Sequence, residues 1–171
     1  ISINGNNISL AFAGRYNIYN ICAAFAAVSE IGTDEKKAAE ILSDYVLKNG
    51  RIVKFTAGKN EGMLLTSKHE NSVSYNQSLE YVAGRPEKST LIIIVDEISR
   101  KYFTAETSWL WDISFGKLQN SNVERIILAG NYCYDLSLRF EFSGITSAEI
   151  ITEHDLDKAV DLLKESSSEF I

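Results

Sequence analysis

The stretch Ser108–Phe115, SWLWDISF, holds both tryptophans of the chain, three positions and one position before Asp112. Two indoles beside one carboxylate admit two readings. An amphipathic helix can bury the rings and leave Asp112 at its wet edge. Alternatively, an aromatic wall holds the carboxylate in place for chemistry. Residues two apart on a helix point in different directions, so Trp109 and Trp111 cannot both face the core. One is expected inside and the other in a cleft or interface. Asp96 closes the apolar run LIIIV, at the end of a strand where open α/β sheets bind ligands. It is equally suited to capping the loop that follows. Glu106 lies six residues before Asp112 and does not share its helix face. Asp135, after GNYCY, reads as a helix cap.

Partners for acid–base work are scarce. The histidines are His69 and His154, and no G-x-S-x-G, phosphate loop or G-x-G-x-x-G occurs. A self-sufficient hydrolase is therefore not expected. Arg51 follows an Asn-Gly pair where the sequence changes texture, and an arginine at such a junction can reach a phosphate. Asn17 and Asn20, on the opening turn of the first helix, can read a base edge or cap. Cys22 and Cys133 are far apart and read as free thiols in a reducing, cytoplasmic compartment; no metal-ligand spacing is present.

These residues need a scaffold. The chain has 171 residues, 45% of them hydrophobic, enough for the core of one domain. Its net charge of −6 is uneven: residues 1–100 carry 11 basic and 11 acidic side chains, and residues 101–171 carry 6 and 12. An acidic second half with no basic run argues against nucleic acid and anionic membrane surfaces. No apolar run approaches the ~20 residues of a membrane span. The start at Ile1 and the ending KESSSEFI suggest a piece of a longer protein.

Periodicity predicts a strand over 8–12, a helix over 16–32 stopping at Gly32, and a helix capped by Thr33 that runs to Lys48. Strands over 51–57 and 63–67, joined by the turn 58–62, follow. A helix over 71–84, capped by Asn71 or Ser72, precedes the single proline, Pro86. Beyond it come strands over 89–97, 123–130 and 147–152, alternating with helices over 106–119, 133–144 and 154–167. The Ile/Val run at 89–97 has the character of a parallel strand buried on both faces. The alternation predicts an α/β fold with an open, mostly parallel sheet flanked by helices, preceded by a short helical segment.

FAGRYNIYNICAAFAAVSEIG resembles the segment that closes the central ATP-binding domain of Mur ligases, with its pattern G-x-H/Y-N-x-x-N-x-x-A-A. NGRIVKF resembles the Gly-Arg leading into their C-terminal domain. NSVSYNQSLEYV, SWLWDISF and ERIILAGNYCYDLSLRFEFSGI more narrowly resemble the MurT-type branch, with its asparagine-glutamine, S-W-I/L-W-D and G-x-R/N-x-x-D-x-x-x-R stretches. The resemblance covers essentially the whole chain. Ser72 and Ser74 stand where that branch usually has proline and glycine. VDEISRKYFTAETSW replaces its usual aspartate-rich run, of which Asp96 remains.

The resemblance implies a Mur-ligase-like, Rossmann-like domain over 51–171, preceded at 1–50 by the helical end of the central domain. It implies a subunit of a lipid II isoglutaminyl synthase that amidates the stem D-glutamate of a peptidoglycan precursor. A GatD-type glutaminase would supply ammonia, and ATP with magnesium would activate the carboxylate as an acyl phosphate. In that family an aspartate of the C-terminal domain completes the Cys–His pair of the glutaminase. The resemblance gives this role to Asp112, held at the interface by Trp109 or Trp111, with Asp96 and Glu106 as runners-up. It places Asn17, Asn20 and Arg51 beside the nucleotide, and Asn71 and Asn76 in a substrate-binding or structural motif. The phosphate loop and the zinc ribbon are missing from this stretch, so it is not expected to bind ATP tightly or act alone. Two other roles remain open: the amino-acid-binding C-terminal domain of a conventional Mur-type ligase, and a non-catalytic docking module.

Overall fold

The computed structural model describes residues 1–10, 15–45, 52–57, 59–67, 72–96 and 107–171. The chain divides into two compact units, Ile1–Arg51 and Ile52–Ile171.

In the first unit, strands β1 (Ser2–Ile3) and β2 (Asn6–Asn7) pair antiparallel around Asn4 and Gly5. Both turn residues have positive φ (49° and 78°), as an Asn-Gly hairpin requires. Ile8 extends the pairing by exchanging bonds with Ile1, and Ile8–Leu10 are not the strand expected at 8–12. Helix α1 (Arg15–Glu30) ends as expected at Gly32. There Gly32 N donates to Ser29 O and Thr33 N to Val28 O, with Gly32 at φ 76°, a Schellman ending. Helix α2 (Glu35–Ser43) is capped by Asp34 rather than Thr33, its carboxylate accepting from Lys36 N and Lys37 N. Ile8, Ile21, Phe25, Ala38 and Ala39 form this unit's core.

The second unit opens with an antiparallel hairpin of β3 (Ile52–Ala57) and β4 (Asn60–Leu65). Ala57 faces Asn60, so the connection is shorter than the expected turn 58–62. The Phe55 ring lies over Gly62, where a Cβ would come within 2.3 Å of it. Helix α3 (Ser72–Ala83) follows. Three parallel strands then stand in the order β5 (Ser89–Ile94), β6 (Val123–Ala129), β7 (Glu149–Glu153). Helix α4 (Cys133–Glu141) links β6 to β7, and helix α5 (Leu156–Lys164) follows β7.

The central strand β6 alternates between two cores, as the pleat dictates. Ile127 and Ala129 meet Ala159, Leu162 and Leu163 of α5 on one face. Ile126 and Leu128 join Leu79, Trp109, Leu110, Phe115, Leu136 and Phe140 on the other. The helix expected over 106–119 is absent from its described part: two short 3₁₀ turns, Ser108–Asp112 and Phe115–Leu118, stand in its place. Buried residues there are Trp109, Leu110, Ile113, Phe115 and Leu118, a spacing that no single α-helical face provides.

The closing segment is a structural element. Phe170 bridges Glu61 of β4 and Ser89 of β5 in parallel, inserting one residue of strand between the hairpin and the parallel sheet. Ile171 N donates to Glu61 O, Met63 N to Ile171 O, and Thr90 N to Phe170 O. The Arg85 guanidinium stacks on the Phe170 ring, 3.7 Å from its centroid. Two hydroxyls of the serine run are anchored: buried Thr90 Oγ1 meets both Ser166 Oγ and Ser168 Oγ. Thr90→Val keeps the shape but strips these partners, leaving the Ser168 hydroxyl buried and short of a bond. It should lower unfolding stability by about 1–3 kcal/mol in urea titrations, whereas an unchanged midpoint would show that the tail is not anchored there.

Candidate functional site

The carboxyl ends of β5 and β6 are locked together. Val95 N donates to Ala129 O, and Tyr132 N returns to Val95 O. Gly130 sits between them at φ 91°, where a Cβ would come within 2.7 Å of Val95 O. Asp96 accepts from Asn131 N at 3.2 Å, so its carboxylate ties the two strand ends together. Asp135 does not cap α4, which has Tyr132 at its N-cap. Its carboxylate accepts from Thr107 Oγ1 at 2.8 Å.

From Thr107 the chain enters the turn Ser108–Asp112. Trp109 turns inward, 9% exposed, with its ring 5.2 Å from that of Tyr75 on α3. Burial pushes the Tyr75 phenol above its ordinary range. Trp111 turns outward, 52% exposed, and its ring meets that of Phe142, 5.5 Å between centroids. Leu138 and Tyr134, one and two helical turns before Phe142, are also exposed, so α4 shows an apolar stripe continuous with Trp111.

Asp112 follows Trp111. Its side chain is exposed, and no hydrogen bond or ion pair among the described residues engages it. Its backbone is held. Asn76 Nδ2 donates to Asp112 O at 3.1 Å, and Asn76 Oδ1 accepts from Ser114 N at 2.7 Å. Asn76 thus closes a two-bond staple across Ile113 that holds the Asp112 carbonyl. Arg139 of α4 adds bonds to Leu110 O (3.2 Å) and Ile113 O (2.8 Å).

Of the expected residues, Asn76 is joined to the Asp112 backbone and Asp96 to Asn131 N. Asn17 is buried and Asn20 exposed, both on α1 of the other unit. Arg51, Asn71, Glu106 and His69 lie outside the described residues, and His154 is exposed just before the Asp155 cap of α5. Among the described residues, no group of His, Cys, Asp or Glu is arranged to hold a metal ion, and no helix is long and apolar enough to cross a membrane. Arg139 carried no assignment from sequence; its only signal was its place in the D-x-x-x-R stretch.

A family model described as MurT ligase C-terminal matches residues 69–171. The chain belongs to this MurT ligase C-terminal family. It is similar to the lipid II isoglutaminyl synthase (glutamine-hydrolyzing) subunit MurT of Staphylococcus aureus, 28% identical over 93% of this chain. The subunit of the same name from Streptococcus pneumoniae is 24% identical over 92% of it. The chain spans about a third of the length of these MurT relatives, 35% and 34%. Two solved Mur ligase structures share the fold: MurF from Acinetobacter baumannii (TM-score 0.66, 16% identity) and MurC from Thermotoga maritima (0.62, 15%). This chain aligns over 95% and 94% of its length with 34% of each. The α/β sheet of this MurT-type domain is thus the one the strand–helix alternation predicts.

Of the two thiols, Cys22 is half-buried and Cys133 is shielded. Cys133, at the start of α4, is fully buried, and burial pushes its thiol up. A thiol raised on folding contributes stability that is present below the unfolded value and is lost as pH climbs through the folded one. Wild type should therefore lose stability toward alkaline pH relative to Cys133→Ala in urea titrations run across the thiol range. Parallel pH profiles for the two proteins would contradict the burial argument.

Proposed function

We propose that this chain is part of the MurT-like subunit of a cytoplasmic lipid II isoglutaminyl synthase. In that complex a GatD-type glutaminase releases ammonia from glutamine, and the ammonia amidates the stem D-glutamate of lipid II or a related precursor. The observation that carries the reading is Asp112. Its carboxylate stands exposed and unengaged among the described residues, on a stapled backbone beside an outward tryptophan. A carboxylate so presented suits a histidine supplied by another subunit. It would accept the imidazole Nδ1–H, fix the tautomer, and stabilise the imidazolium formed when the cysteine thiol is deprotonated. Asp96 suits this role less, because Asn131 N already occupies an oxygen of its carboxylate. Trp111 and the neighbouring α4 stripe supply apolar area for the glutaminase to cover.

ATP and magnesium, which the full-length subunit would hold, would supply the phosphoryl group that activates the acceptor carboxylate. Of the first-unit asparagines, exposed Asn20 is free of the core and suited to border a nucleotide together with Arg51, while Asn17 is buried.

With full-length subunit and glutaminase, Asp112→Asn should cut glutamate release by on the order of 10²–10⁴-fold while the complex still forms. An unchanged rate would sink the assignment. Trp111→Ala should weaken assembly at least about tenfold in a titration of subunit against glutaminase, the loss expected of a central aromatic anchor. An unaltered Kd would place the interface elsewhere.

A further inference from the structure

The Asp135-x-x-x-Arg139 pair on α4 is left without a task by the reading above, on which the following inference rests. Residues four apart share a helix face, and an aspartate and arginine so placed ordinarily pair with each other. Here each reaches instead to the crossover between β5 and β6. Asp135 takes the Thr107 hydroxyl at 2.8 Å, just before the 3₁₀ turn. Arg139 takes Leu110 O through Nε at 3.2 Å and Ile113 O through Nη2 at 2.8 Å, bracketing Asp112 on both sides. Its guanidinium also lies 5.2 Å from the centroid of the Trp111 ring.

We infer that Asp135 and Arg139 are positioning residues. They hold the Ser108–Asp112 turn in the one conformation that points the Asp112 carboxylate and Trp111 outward together.

A five-residue 3₁₀ turn makes poor internal hydrogen bonds. Its N-cap, Thr107, makes no side-chain cap bond, and Ile113 N reaches Leu110 O at a long 3.3 Å. The carbonyls at its end are the negative pole of the turn, and a cation there is favoured. Arginine suits the place because its planar fork carries donors along one edge to two acceptors at once; a lysine ammonium offers no such fixed pair. With Asn76 on the Asp112 carbonyl from α3 and Arg139 on its neighbours from α4, the turn is gripped from two elements.

The test uses the full-length subunit with its glutaminase. Arg139→Met should accelerate amide hydrogen exchange over residues 108–114 and lower kcat for glutamate release by on the order of 10- to 100-fold, with KM for glutamine little changed. Arg139→Lys, which keeps the charge and folds more conservatively, should recover little of that kcat. In an Asp112→Asn background, Arg139→Met should cause almost no further loss, because it acts through Asp112. Unchanged exchange over 108–114, full rescue by lysine, or a full additional loss in the double variant would each overturn the inference. A silent Asp112→Asn is a different failure: it removes the catalytic reading and the positioning role with it. The exchange measurement then judges the mechanical clamp by itself.

Discussion

The crossover between β5 and β6 contains no described α-helix, and that constraint governs the site. A helix would satisfy its own backbone. Two 3₁₀ turns do not, so the polar groups of residues 107–114 must be met by other elements. Asp135 meets the hydroxyl of Thr107, Arg139 the carbonyls of Leu110 and Ile113, and Asn76 both the carbonyl of Asp112 and the amide of Ser114. Lys117 in the second turn pairs with Glu80 of α3 at 2.6 Å, adding a partly exposed tie to the same helix. The irregular segment is thereby fixed to α3 and α4, and α4 is itself packed on β6 through Leu136 and Phe140.

The rest of the fold serves that fixation. β6 is buried on both faces, and Trp109 and Phe115 share its core with Ile126 and Leu128. Burying one indole leaves the other, two residues on, outside. The tail then seals the opposite flank of the sheet, with Phe170 between β4 and β5 and the Ser166 and Ser168 hydroxyls on Thr90. The Asp112 carboxylate is thereby presented at the surface beside the apolar stripe of Trp111 and α4. Such a surface fits a domain that finishes another subunit's active site.

Much of this was legible in the sequence. The apolar runs of β5 and β6 announced parallel strands, Gly32 announced the end of α1, and the opposed directions of Trp109 and Trp111 followed from their spacing. Burial on both faces, expected of β5, holds for β6 instead: Leu91–Ile93 of β5 are half-buried and Ile94 is exposed. Three features were not legible. The stretch 106–119 reads as an amphipathic helix because its composition is apolar and polar in turn, yet Ser114 gives its amide to Asn76 and the helix does not run through that point. The tail contributes a single residue of strand, too short to leave any periodicity. Asn76 and Arg139 act on backbone groups, which carry no residue type for a sequence pattern to match. Their contribution is visible only once α3, α4 and the crossover are brought together.

The most direct measurement is an experimental structure of the full-length subunit bound to its glutaminase. The expected result is the Asp112 carboxylate within about 2.6–3.2 Å of a glutaminase histidine nitrogen, with Trp111 covered by the same interface. A complex in which Asp112 remains solvent-exposed and another carboxylate, such as Asp96, approaches that histidine would contradict the role assigned to Asp112.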